Sequence, residues 1–163
     1  MIYLHDRFYE SSSRVRIAKM LEEVVSVEGP VCENVLRKRV AKAWGLSRIT
    51  DNVNRVFDSC MPTSGTITSH DTGRVFWAPG QDPAAYSDYR IPSDDENSRR
   101  TLEEIPPEEI ANAMCEVLSE LGGCHQDELY REAIKCFGLS ALTAKARKFL
   151  DIAFTSLQNS GRI

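Results

Sequence analysis

The stretch Trp44-Gly45-Leu46-Ser47 returns 93 residues later as Phe137-Gly138-Leu139-Ser140. In each, an aromatic residue closes a helix and glycine supplies the left-handed conformation that ends it. Leucine then packs inward, and serine stands ready to cap the next helix. This is the short glycine-containing turn of a helix-turn-helix. Around it the register holds without a gap. Val15–Asp58 aligns with Glu108–Asp151, and 13 of the 44 positions are identical. Ile17/Ile110, Glu23/Glu116, Gly29/Gly122, Leu36/Leu129 and Thr50/Thr143 are among them. Amphipathic helices resemble one another by default, but coincident glycines do not follow from amphipathicity.

Each copy reads as three helices. Ile17, Met20, Leu21, Val24 and Val25 recur at i, i+3, i+4, i+7 and i+8, the stripe of a helix with one buried face. Ile110, Ala113, Met114, Val117 and Leu118 repeat it. Pro106, Pro107, Glu108 and Glu109 suit a helix start, and Gly29-Pro30 and Gly122-Gly123 suit helix ends. The second helices carry Leu36, Val40 and Trp44, matched by Leu129, Ala133 and Phe137. The third carry Ile49, Val53, Val56, Phe57 and Cys60, matched by Leu142, Ala146, Phe149, Leu150 and Ala153. After the first copy, Thr66-Ile67-Thr68 and Arg74-Val75-Phe76-Trp77 flank His70-Asp71-Thr72-Gly73, a hairpin signal. Three helices and a hairpin give the order of a winged helix. The second copy reaches Ser160-Gly161-Arg162-Ile163 where its return strand would begin, so its wing is read as incomplete.

The fold class is therefore mainly α with a small β-hairpin, in two repeated winged-helix-like (helix-turn-helix) units. Residues 1–78 form the first unit and 107–163 the second. Residues 79–106, rich in Pro, Asp, Glu and Ser, read as an acidic linker. Over the 163 residues there are 20 basic and 24 acidic side chains, net −4, and 42% are hydrophobic. Net charge runs +2, −4 and −2 through the three segments. The acidic total argues against a strong general nucleic-acid binder. No run of eighteen apolar residues occurs, and Met-Ile-Tyr-Leu-His-Asp does not read as a secretion signal. Cys32, Cys60, Cys115, Cys124 and Cys136 are odd in number and make no Cys-x-x-Cys pair, which points to free thiols in a reducing, cytoplasmic setting.

Catalytic signals are absent by motif. No phosphate-binding loop, dinucleotide fingerprint, His-Glu-x-x-His or nucleophile elbow occurs. His5, His70 and His125 are scattered, and nothing completes a zinc site around Cys124-His125. No catalytic residue, cofactor or metal is expected. The cations are the candidate site. Arg37, Lys38, Arg39 and Lys42 form the densest basic run, on the second helix. Arg48 and Arg55 lie on or beside the first of the third helices, with Asp51 and Asp58 among them. Arg74 lies in the hairpin. Lys145, Arg147 and Lys148 sit on the second of the third helices, the element that a helix-turn-helix places in the DNA major groove.

Several strings together resemble a known family. They are Glu28-Gly29-Pro30, Arg39-Val40-Ala41-Lys42-Ala43-Trp44-Gly45, Tyr89-Arg90-Ile91-Pro92 and Glu104-Ile105-Pro106-Pro107-Glu108-Glu109-Ile110-Ala111, continuing to Gly138-Leu139 and Gly161-Arg162-Ile163. The chain resembles domain of unknown function 3320 from about Arg14 to Ile163. That domain sits near the C-terminal end of very large superfamily I DNA helicase-related proteins, some with a Vsr-like or restriction-endonuclease-like nuclease domain. The resemblance implies a setting of DNA transactions within a longer chain, and brings no catalytic residues. The function expected is a non-catalytic accessory module of a helicase-related protein that binds DNA or positions catalytic domains on it. The alternative is a protein-interaction module without nucleic-acid contact. The expected partners are DNA and other domains of the larger chain, with no membrane.

Overall fold

The computed structural model describes residues 3–163 and divides into two compact units. One comprises Met1–Ser69 with Gly73–Asp82, the other His70–Thr72 with Pro83–Ile163. The protein is mainly helical, with seven α-helices and one small three-stranded antiparallel sheet among the described residues.

The first unit begins with the short helix α1 (Leu4–Arg7) and a 3-10 turn at Ser11–Ser13. Helix α2 (Arg14–Glu28), strand β1 (Val31–Cys32), and helices α3 (Glu33–Ala43) and α4 (Asp51–Cys60) follow. Strands β2 (Ile67–His70) and β3 (Gly73–Phe76) form the expected hairpin. Beyond it, Val31 pairs with Phe76 and Cys32 with Val75, which adds β1 to the sheet in the order β1-β3-β2. Two residues are too few for a periodic signal, which is why this strand is invisible in the sequence. Val53, Val56, Phe57 and Cys60 bury one side of α4. Phe8, fully buried, meets Phe57 and Trp44 edge-on at 5.3 and 5.9 Å and joins the entry segment to the core.

The second unit has helices α5 (Pro107–Leu121), α6 (Gln126–Cys136) and α7 (Ala144–Asn159). Their bounds stand in register with the first set. Shifted by 93, α2 gives the bounds of α5, α3 those of α6, and the start of α4 that of α7. The local hydrogen bonds correspond as well. Leu46 N donates to Ala41 O at 3.0 Å and Leu139 N to Ile134 O at 3.0 Å. Gly45 and Gly138 lie at φ +77° and +75°. Thr50 accepts from Val53 N and Thr143 from Ala146 N, so each caps its helix in place of the expected Ser47 and Ser140, because the turn runs three residues further before the helix begins. The longest difference is at the end. Met61 leaves α4 before Pro62, while α7 continues through Ala153 and Leu157, both buried.

Residues 83–106, read from composition as a linker, pack within the second unit. Leu102 and Ile105 are buried in its core with Ile110, Met114, Leu129 and Leu150. Asn112 donates to the carbonyls of Tyr86 and Asp88 at 3.1 and 2.8 Å. Glu109 is wholly buried and receives Arg90 and Arg100. Composition registered the acids and prolines of this segment and missed the few residues that anchor it. Between Pro83 and Ile163 no strand occurs among the described residues.

Candidate nucleic-acid interface

The basic run on α3 splits by helical phase. Arg37 follows Leu36 on the side facing the core, whereas Lys38, Arg39 and Lys42 are exposed. The Arg37 guanidinium donates to Glu33 Oε2 and Asp58 Oδ1, both at 2.7 Å, and to Asn54 Oδ1 at 2.9 Å. It also lies over the Phe57 ring at 5.7 Å. With 9% of the residue exposed, Arg37 ties α3 to α4 and offers little to a phosphate. This departs from the expectation of a solvent-facing cation. Glu33 holds a second arginine, since Arg74 Nε donates to its Oε1 at 2.6 Å. Burial pushes the Glu33 carboxyl up, but the hydrogen bonds from Arg74 and Arg37 outweigh it and hold it below the usual range.

In the second unit α6 and α7 are joined by other chemistry. Gln126 Nε2 donates to the Tyr130 hydroxyl at 2.8 Å, and that hydroxyl donates to Asp151 Oδ1 at 2.6 Å. At the offset of 93 these three residues answer Glu33, Arg37 and Asp58. A buried tyrosine thus bridges helices where the first unit uses a buried arginine. The shared Asp58/Asp151 was visible in the alignment. Its inward partner was not, because Arg and Tyr have no common type.

Of the other eight candidate cations, four have a side-chain partner. Arg39 Nε lies 3.1 Å from Glu28 Oε1, and Arg55 donates to Asn52 Oδ1 at 3.2 Å. Lys145 meets Glu103 at 3.2 Å and Arg147 meets Asp127 at 2.9 Å. The hydrogen bond from Arg147 keeps the Asp127 carboxyl below its ordinary range. Glu103 comes from the segment read as a linker, so its meeting with Lys145 could not be read locally. Lys38, Lys42, Arg48 and Lys148 are exposed and form no ion pair among the described residues. Lys145 also borders an open groove of about 410 Å³ formed with Leu102, Leu139, Thr143 and Phe149.

The remaining chemistry is quiet. The Cys32 and Cys60 thiols are buried, and burial raises the Cys136 thiol above its ordinary value. Among the described residues no three His, Cys, Asp or Glu side chains gather as a metal site would require. Also among them, no helix is long and apolar enough to cross a membrane.

Residues 6–55 match the family model described as Protein of unknown function (DUF3320). The DUF3320 match spans α2, β1, α3 and the start of α4, and includes Glu28-Gly29-Pro30 and Arg39–Gly45. Tyr89–Pro92 and Glu104–Ala111 lie outside the matched residues. No curated protein and no solved structure matches the chain.

Proposed function

We propose that the chain is a non-catalytic protein-interaction module of two winged-helix-like units, an accessory part of a cytoplasmic helicase-related protein. The helicase setting rests on the DUF3320 resemblance. The winged-helix reading is supported by the order helix, strand, helix, helix, hairpin over residues 14–76. Repetition is supported by the matched helix bounds, glycine turns and threonine caps. Fold alone leaves the partner open.

The observation that favours a protein partner is the fate of the cations. Arg37, Arg39, Arg74, Lys145 and Arg147 are paired with carboxylates, and Arg55 is held by Asn52. Duplex affinity depends on cations that displace counterions from phosphates. A cation already paired must give up its acid first, and that acid then faces the phosphate. Direct DNA contact is a second reading, favoured by Lys38, Lys42 and Arg48, which are exposed within the first unit and meet no acid among the described residues.

Fluorescence anisotropy with a labelled DNA duplex separates the two. Negligible binding by the wild-type chain at physiological salt is expected. The DNA reading requires saturable binding whose log K falls with log salt by about 0.9 per phosphate contact, with part of that slope lost in a Lys38/Lys42/Arg48→Ala variant. That result would overturn the proposal.

A further inference from the structure

An apolar groove of about 290 Å³ opens between α2 and α3 of the first unit. Met20, Val24, Val27, Val40 and Ala43 line it, with Glu23 and the Glu28–Arg39 ion pair also in its wall. Val27 is 84% exposed, and Ala43 is exposed too. Single exposed apolar residues are ordinary on a surface; a groove formed by several is not.

The second unit shows what such a groove holds. At the offset of 93, Glu23, Val24, Val40 and Ala43 correspond to Glu116, Val117, Ala133 and Cys136 on α5 and α6. There the segment 86–92 lies against α5 and Phe137. Tyr89 packs on the core and meets Phe137 edge-on at 5.8 Å, with Glu116 and Cys136 near its hydroxyl. Asn112 fixes the backbone carbonyls before the tyrosine, and Glu109 accepts from the amide and guanidinium of Arg90 after it. The first unit keeps the acid for a tyrosine hydroxyl (Glu23) and the apolar floor (Val24, Val40, Ala43). It exchanges Asn112 for Lys19, still a donor to carbonyls, and the acid Glu109 for Arg16. Both Lys19 and Arg16 are exposed.

We infer that the α2–α3 groove is the docking site for an extended peptide of a partner protein, which inserts a tyrosine followed by an acidic residue. The tyrosine fills the apolar floor with its hydroxyl toward Glu23, and the acid meets Arg16. A second copy of this chain does not fit. Its own tyrosine is packed in its own second unit, and the next residue is Arg90, of the same charge as Arg16. The inference deepens the protein-interaction reading and rests on it.

The test uses a fluorescent peptide Tyr-Ser-Asp-Tyr-Glu-Ile-Pro, the chain's own segment with glutamate in place of arginine. Saturable binding to the intact chain is expected. Ala43→Arg, at an exposed helix position, should weaken it at least about tenfold by filling the groove. Arg16→Glu should reverse the preference between the glutamate peptide and the same peptide with arginine. Glu23→Ala should cost about threefold with the tyrosine peptide and nothing when phenylalanine replaces the second tyrosine. Circular dichroism confirms that each variant is folded. A flat titration with folded wild type, or binding indifferent to Ala43→Arg and Arg16→Glu, overturns the assignment. So does self-association of the chain that the peptide competes away. A flat titration without duplex binding rejects the groove and leaves the protein-interaction reading standing; a flat titration with salt-dependent duplex binding rejects both.

Discussion

Gly45 and Gly138 do the same work in different surroundings. Both adopt a positive φ that L side chains rarely take, so Ala at either should destabilise by about 1 kcal/mol. A Cβ at Gly45 meets nothing within 4 Å, whereas one at Gly138 lies 3.1 Å from Pro92 Cγ. Gly138→Ala should therefore cost at least as much as Gly45→Ala in urea unfolding. No loss at either position would contradict the shared turn. Arg37 shows the limit of residue-level reading. A run of four cations within six positions looks like one surface, but helical phase turns Arg37 toward Phe57 and leaves Lys38, Arg39 and Lys42 outside. Gly29 differs again. It lies at φ −59°, and its requirement is space, since a Cβ would stand 2.5 Å from Ala78 N.

At the scale of elements, local signals were legible and long-range ones were not. The helix stripes, glycine ends and the β2–β3 hairpin all follow from neighbours in sequence and stand near where the periodicity put them; the caps do not, since Thr50 and Thr143 take the place expected of serine. The two-residue β1 exists because β3 pairs with it, and the packing of residues 83–106 depends on Leu102, Ile105 and two arginines that find a distant acid. Ile105 is 2% exposed. Ile105→Ala should cost about 2–5 kcal/mol if the segment belongs to the core, against roughly 0.5 kcal/mol or less for a solvated linker. Chemical denaturation decides between them. Glu109 gives the same segment a pH dependence. Burial pushes its carboxyl up, and the hydrogen bonds from Arg90 and Arg100 more than reverse this, so its folded value is lowered. A lowered folded value means stability that is present above the unfolded value of about 4.5 and lost as pH falls through the folded one. Unfolding followed from neutral to acidic pH should show this loss. Glu109→Gln should be less stable than wild type at neutral pH, by about 2 kcal/mol or more, and should lose less on acidification. Equal acid sensitivity in the two proteins would assign it elsewhere.

For the whole molecule, the sequence carried the mainly helical class, because that rests on local pattern. The candidate site was less legible. Ten cations were named from position and type, but whether a cation is available depends on acids from other elements, as with Lys145 and Glu103 or Arg74 and Glu33. A net charge of −4 anticipated this in bulk without saying which residues would be taken. The junction of second and third helices, the capped turns and the groove compared across the two units all depend on residues 14–58 and 107–151 forming one unit used twice. An experimental structure by crystallography or NMR tests that most directly. Superposition on α2 and α5 should bring α3 onto α6 and α4 onto α7, with Gly45 on Gly138, Thr50 on Thr143, and Asp58 and Asp151 turned toward Arg37 and Tyr130. A third helix packed on a different face in one copy, with its aspartate turned away from that partner, would contradict it.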